Sequence, residues 1–292
     1  LDAERLDFHG EGTEDLWIHG SAFSAVVRPA RGGSVTDFTV FARGGNLVDV
    51  LTRRREAYHR RSGVDGEEGV ARDGGGSPAD APERDEGDVP DDRGMPSIHD
   101  REEAATFEEL PPVDRDVRAL LVDRVLPAEL EEAAYARAEY DALLSWARAS
   151  MGAEVERGDA GIVVRMTTAP PGTLEKVLVF REDGSLRATW RWDPADFPPD
   201  ARFAPELSLS AAFAPEVELA WDPEPEAVWR HPIETLSRSE EGPEATVQGA
   251  SVTPLWPCRL GRAGLEIRLG PSGPEPSGDG GHAPRSRGED DQ

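Results

Sequence analysis

From residue 161 to residue 269 the chain alternates short runs of β-branched, aromatic and aliphatic residues with Gly, Pro and Asp turns. That rhythm constrains the fold more than any other feature of the sequence. The runs 161–168, 174–181, 186–192, 206–213, 217–220, 227–229, 245–254 and 265–269 are short and bounded by turn formers. That pattern reads as strands rather than helices. Glu182-Asp183-Gly184 marks a tight turn between two of them. Upstream, 16–29 and 34–41 show the same alternation around Gly32-Gly33, the pattern of a hairpin. Many short strands joined by such turns specify an all-β fold, a large antiparallel β-sandwich.

Two segments depart from this period. Residues 126–150, rich in Ala, Leu and Glu, carry the strongest helical signal. Leu47, Val50, Leu51 and Tyr58 are spaced for a second, shorter helix with Asn46 as its N-cap. Residues 62–92 are mostly Gly, Asp, Glu, Pro and Arg without periodicity, and 271–292 resemble them. Neither stretch has the apolar surface to offset chain entropy, so both are expected to be disordered, an insertion and a tail on a single sandwich domain spanning 1–270.

The net charge of −26 over 292 residues argues against nucleic acid and against anionic membrane surfaces, both of which need clustered cations. Lys176 is the only lysine, so almost all positive charge is arginine. A single cysteine, Cys258, excludes an intramolecular disulfide and a cysteine-built zinc cluster. Its apolar setting suggests a buried structural thiol. No apolar run reaches the roughly 18 residues of a membrane span. The first residues show no basic segment followed by an apolar one, so no signal peptide is read there and a cytoplasmic location is expected. No metal and no cofactor is expected.

Phosphate loops, nucleophile elbows and His-Glu-x-x-His helices are missing from the sequence. Arg55, Glu56 and His59 fall within about one helical turn, a spacing that suits either a site or a solvated helix face. His99 lies in the short motif Pro-Ser-Ile-His-Asp after the acidic insertion. The richest stretch is 229–257, where Glu234, Ser237, Ser239, Glu240, Glu241 and Gln248 are bracketed by Trp229 and Trp256. Aromatic faces beside acids and amides can grip a sugar, ring stacked on ring and hydroxyls on polar groups. The same residues would equally suit a solvated loop.

The motifs RGGSVTDFTVFARGGNLVDVLTRRREAYH, PSIHD, LLVDRVLPAE and WRHPIETLSRSEEGPEATVQGASVTPLW occur in this order. Together they resemble the C-terminal domain of family 57 glycoside hydrolases, above all the 4-α-glucanotransferase and α-amylase branch. Val122 before Asp123-Arg124 stands where that pattern usually has tyrosine, and Pro243 where it usually has an aromatic. The resemblance implies a β-sandwich like that of galactose mutarotase, packed beside a catalytic (β/α)7 barrel on the same or a separate chain. That barrel holds both catalytic carboxylates and is missing from these residues, so no catalytic residue is carried over. The resemblance implies a non-catalytic support for an α-1,4-glucan or maltooligosaccharide groove. Arg54, Glu56, His59, His99, Glu234, Ser239, Glu240, Gln248 and Trp256 are the candidate carbohydrate- or barrel-facing residues. The alternatives are a stand-alone carbohydrate-binding module and a mutarotase-like sugar enzyme.

Overall fold

The computed structural model describes residues 1–55, 60–61, 106–107, 112–169, 172–239 and 242–269. The sequence's strand rhythm becomes β1 (Asp2–Leu6), β2 (Asp15–His19), β3 (Phe23–Arg28), β4 (Ser34–Val40), β5 (Gly45–Asn46), β6 (Arg60–Arg61), β7 (Thr106–Phe107) and β8 (Leu120–Leu126). A single turn of helix, α1 (Glu132–Ala136), follows, then β9 (Leu144–Ser145), β10 (Met151–Gly158), β11 (Gly161–Thr168), β12 (Leu174–Phe180) and β13 (Leu186–Trp192). The last strands are β14 (Arg202–Ser210), β15 (Val217–Trp221), β16 (Ala227–Ser239), β17 (Gly242–Pro257) and β18 (Arg262–Leu269).

These strands form an antiparallel 10-stranded sheet in the order β1-β2-β3-β4-β8-β14-β17-β16, with β5 and β9 at its side. An antiparallel 6-stranded sheet, β10-β11-β12-β13-β18-β15, packs against it, and β6 and β7 form a short parallel pair. The fold is the all-β sandwich expected from the sequence. Period-two alternation decides which side chains meet between the sheets. On β14, Phe203, Leu207 and Leu209 point inward, joined by Trp190, Trp192 and Trp256. Trp192 lies 4.5 Å from Phe203, and Phe23 meets Phe38 edge-on at 5.6 Å. Burying each such ring stabilises the fold by about 1.5–3 kcal/mol. Cys258 is fully buried as expected, and burial pushes its thiol up to about 12.

One polar link crosses this apolar interior. Lys176, from β12 in the smaller sheet, reaches Asp123 of β8 in the larger one at 2.9 Å, both without solvent exposure. Its Nζ also donates to the carbonyls of Leu121 (2.8 Å) and Gly32 (3.2 Å). Leu121 is the extra residue where β8 slips register against β14, and its φ of 64° turns its carbonyl to this task.

The helical expectation for 126–150 is corrected. Leu126 completes β8, only Glu132–Ala136 is helical, and Ala138 leaves the helix at φ 56°. The apolar residues of this segment serve two different cores, so no single helix face could place them. Tyr135, with Leu130, Tyr140 and Ala142, packs with Leu126, Ala204, Trp229 and Leu255 on the outer face of the larger sheet. Trp146 and Leu144 turn into the interior instead. The shorter helix after Asn46 is likewise not formed over 47–55. Leu47 and Val48 are buried in the core, while the Asn46 side chain accepts from the amides of Phe38 and Val48 and so shapes a turn. Tyr58, the insertion 62–92 and the tail 271–292 lie outside the described residues.

The Gly32-Gly33 turn is formed as expected, with φ of 67° at Gly32. A Cβ there would sit 2.3 Å from the Trp146 carbonyl oxygen, a backbone atom fixed by the turn. Gly32→Ala is expected to destabilise by about 1–3 kcal/mol from conformation alone and more from the overlap, as read by urea denaturation.

Candidate functional site

The outer face of the larger sheet is polar yet buried. β14 turns Glu206 and Ser208 to this face, and β17 adds Ser251 beside them, with Ser208 opposite Ser251 in register. The segments 47–55 and 112–119 and helix α1 supply the cover. Within it, Glu206 accepts four hydrogen bonds. Its Oε2 takes one from Arg124 (2.6 Å) and one from the Tyr135 hydroxyl (3.0 Å). Its Oε1 takes one from Ser251 (2.8 Å) and one from Arg118. Arg118 also donates to Asp114, whose carboxylate is gripped by Arg53 through Nη2 (2.7 Å), Nε (3.0 Å) and the backbone amide (2.7 Å). Arg124 completes the array by donating to Asp116 at 2.9 Å.

Burial alone would raise the Glu206 pKa, but the Arg118 and Arg124 guanidiniums overcome it and hold the carboxyl far below its ordinary value. Asp114 is treated in the same way by burial, Arg118 and Arg53, with a net lowering. Burial, with the Glu206 charge second, pushes the Tyr135 hydroxyl well above its ordinary range. His231 lies beside this array, its Nδ1 buried without a hydrogen-bond partner among the described residues, and burial lowers its pKa.

These shifts fix how the fold responds to acid. The folded pKa of His231 lies below its ordinary 6.5, so the unfolded chain binds a proton first and stability falls as pH drops through that value. Glu206 and Asp114 also have depressed folded values. Their stabilisation is complete above their ordinary 4.5 and 3.8 and is lost as pH falls below them. Thermal melts from about pH 8 to about pH 3 are expected to show both declines. His231→Gln removes its share of the first and spares the second.

Over the buried array opens a cleft of about 200 Å³, walled by Arg28, Arg31, Arg54, Arg115 and Arg148, with Thr36, Thr52, Asp114 and Asp116. The acids among these are already engaged: Asp114 by Arg53 and Arg118, Asp116 by Arg124. A retaining glycosidase needs two free carboxyl groups, one a nucleophile and one with a pKa tuned for proton transfer. Among the described residues, no such pair faces the cleft. No group of three or more His, Cys, Asp or Glu converges as a metal would require, again among the described residues. Nor is any described helix long and apolar enough to cross a membrane.

The sequence candidates fall in separate places. Arg54 stands exposed on the cleft wall. Glu234 is exposed on the β16–β17 ribbon, where Gln248 donates to Thr235 Oγ1 at 3.0 Å, and neither lines the cleft. Ser239 ends β16. Glu56, His59, His99 and Glu240 lie outside the described residues. Trp256 is corrected as a sugar platform: it is fully buried, and its indole N–H donates to the Pro223 carbonyl at 2.7 Å. Trp229 is nearly as buried, against Tyr135 and under the Arg202 guanidinium. Period two sends Trp256 toward the interior along β17, so neither tryptophan offers a free face. Missed by the sequence reading were Asp114, Arg118, Arg124, Tyr135 and Glu206. The available signal was a charge inside an apolar strand, as in LLVDRVL and APELSLS.

Comparison with known proteins agrees with this architecture. The family described as alpha-amylase/4-alpha-glucanotransferase, C-terminal, matches residues 7–215 and 211–269. An "Alpha-amylase" of Pyrococcus abyssi is 26% identical over 287 residues, covering 90% of this chain and 40% of its own length. A "4-alpha-glucanotransferase" of Thermococcus kodakarensis is 29% identical over 283 residues, covering 86% of this chain and 38% of its own. The crystal structure of the 4-alpha-glucanotransferase from Thermococcus litoralis superposes with a TM-score of 0.59 at 22% identity, covering 91% of this chain and 39% of that one. The chain thus spans about two fifths of the length of these relatives. With the family match running over nearly all of the sandwich, the chain belongs to the family of alpha-amylase/4-alpha-glucanotransferase C-terminal domains.

Proposed function

We propose that this sandwich is the non-catalytic partner of an α-glucan-processing enzyme of the 4-α-glucanotransferase or α-amylase type. In this reading it braces a catalytic (β/α)7 barrel, on the same or a separate chain, and helps shape the groove for α-1,4-glucan or maltooligosaccharide in the cytoplasm. The observation that carries the reading is the state of Glu206. This buried carboxylate of the polar face is clamped between two arginines, which hold it in its charged form well below its ordinary pKa and make it a poor proton acceptor. This also counts against the mutarotase-like reading, which needs a basic carboxylate beside a histidine. Covering a glucan groove would exclude water and favour a sugar acceptor over hydrolysis. Arg54, Glu234, Ser239 and Gln248 remain the candidates for the barrel- or sugar-facing surface, together with Glu56, His59, His99 and Glu240, which lie outside the described residues.

Adding the purified chain to a separately expressed barrel of this family tests the reading. Restored or enhanced conversion of maltoheptaose, with a stable complex on gel filtration, is expected. Absence of both complex and effect would contradict it. A carbohydrate-binding module, the second reading, would instead bind maltoheptaose tightly by itself; the burial of Trp229 and Trp256 disfavours it.

A further inference from the structure

The cleft above the buried array is a concentration of positive charge in a chain of net charge −26. Pairing decides whether that charge is available. Arg53, Arg118 and Arg124 are consumed by Asp114, Asp116 and Glu206 beneath the cleft floor. The same pairing neutralises the two aspartates of the lining, so they do not oppose an incoming anion. Arg28 is fixed by Asp15 and Glu11, a buried anchor rather than a free cation. The remaining guanidiniums are partly or largely exposed, and their ion pairs lie toward solvent. Arg31 reaches Glu11 only at 3.4 Å, and the largely exposed Arg148 reaches Asp116 at 3.4 Å while its Nη2 donates to the Arg115 carbonyl at 2.9 Å. Arg115 pairs with Asp141, itself almost wholly in solvent. Arg54 has no ion pair among the described residues and stands on the wall. Exposed pairs of this kind contribute little and exchange readily for a better-placed partner.

From this geometry we propose that the cleft is a binding site for a phosphate-bearing small molecule. Arg54 and Arg148 would be its principal ligands, assisted by Arg31 and Arg115. A doubly charged phosphate, with more oxygens and more charge than a single carboxylate, can engage several guanidiniums at once, and here several line one concavity. The hydroxyls of Thr36 and Ser34 line the same walls and suit the remaining oxygens of a phosphate or the hydroxyls of an attached sugar. No paired carboxylates are needed, and the site stands whether or not the accessory reading holds.

Calorimetric titration of the full chain with inorganic phosphate, with glucose 1-phosphate and with maltose tests the proposal. Saturable binding of a phosphate-bearing probe, millimolar or tighter, is expected, with none at this site for maltose. Arg54→Gln combined with Arg148→Gln is expected to weaken it by at least about tenfold, since two charge-assisted contacts are lost. Both side chains are solvent-facing, so an unchanged melting temperature shows that the variant is folded. Tighter binding of glucose 1-phosphate than of inorganic phosphate identifies a phosphate ester as the ligand. Equal binding identifies free phosphate. Absence of saturable binding, or binding that the double variant leaves unchanged, overturns the proposal.

Discussion

Lys176→Ala is expected to destabilise the sandwich by about 3–5 kcal/mol, because it strands the buried Asp123 carboxylate between two sheets without its one ion-pair partner among the described residues. Burial drives the Lys176 pKa down and the Asp123 pKa up, and each charge resists the shift of the other. Removing one member therefore removes the reason the second can remain charged. The loss extends to the carbonyls of Leu121 and Gly32, which lose the ammonium donor that ties the β8 bulge to the turn before β4. Lys176→Met combined with Asp123→Leu is expected to recover most of the stability, since an apolar pair of similar volume needs no desolvation. Guanidinium denaturation of the single and double variants checks both statements. A single variant as stable as the parent would show that the cross-sheet pair contributes nothing.

Glu206→Ala is expected to cost about as much, again about 3–5 kcal/mol, for the opposite reason: it removes the carboxylate shared by two buried guanidiniums, leaving Arg118 with Asp114 alone and Arg124 with Asp116 alone. The Tyr135 hydroxyl and Ser251 lose their acceptor at the same time. Helix α1 is tied to the sheet through Tyr135, so local loosening should appear first in residues 127–143. Hydrogen exchange of that segment is the sensitive measurement, with denaturant unfolding as the global one. Wild-type protection over 127–143 in the variant would show that the array does not anchor the helix.

The strands were legible where alternation was strict. β11 and β13 run over the same residues that the apolar pattern marks, 161–168 and 186–192. The pattern was weaker where a strand carries charge inward or has bulges. β8 was not recognised as a strand, because Asp123 and Arg124 interrupt its apolar run while answering to partners on opposite faces of the sheet, Lys176 within and Glu206 without. β10 alternates glutamates with small residues at a sheet edge and shows little contrast. The helix expected over 126–150 failed because local propensity cannot register that Tyr135 and Trp146 belong to different cores. The polar array was least legible of all. Its members, from Arg53 to Ser251, meet only through the fold, and spacing along the chain says nothing about that meeting. Arg54 reached the cleft by adjacency to Arg53, whereas Trp256 was misjudged because strand parity, not neighbouring polar residues, decides which way a ring points.

The claim that this domain supports catalysis without performing it is tested most directly by incubating the purified chain alone with maltoheptaose and resolving the products by chromatography. The account predicts unchanged maltoheptaose, because the carboxylates of the polar face are committed to arginines. Shorter or longer maltooligosaccharides formed by this chain alone would contradict it and place a working acid–base pair within the sandwich.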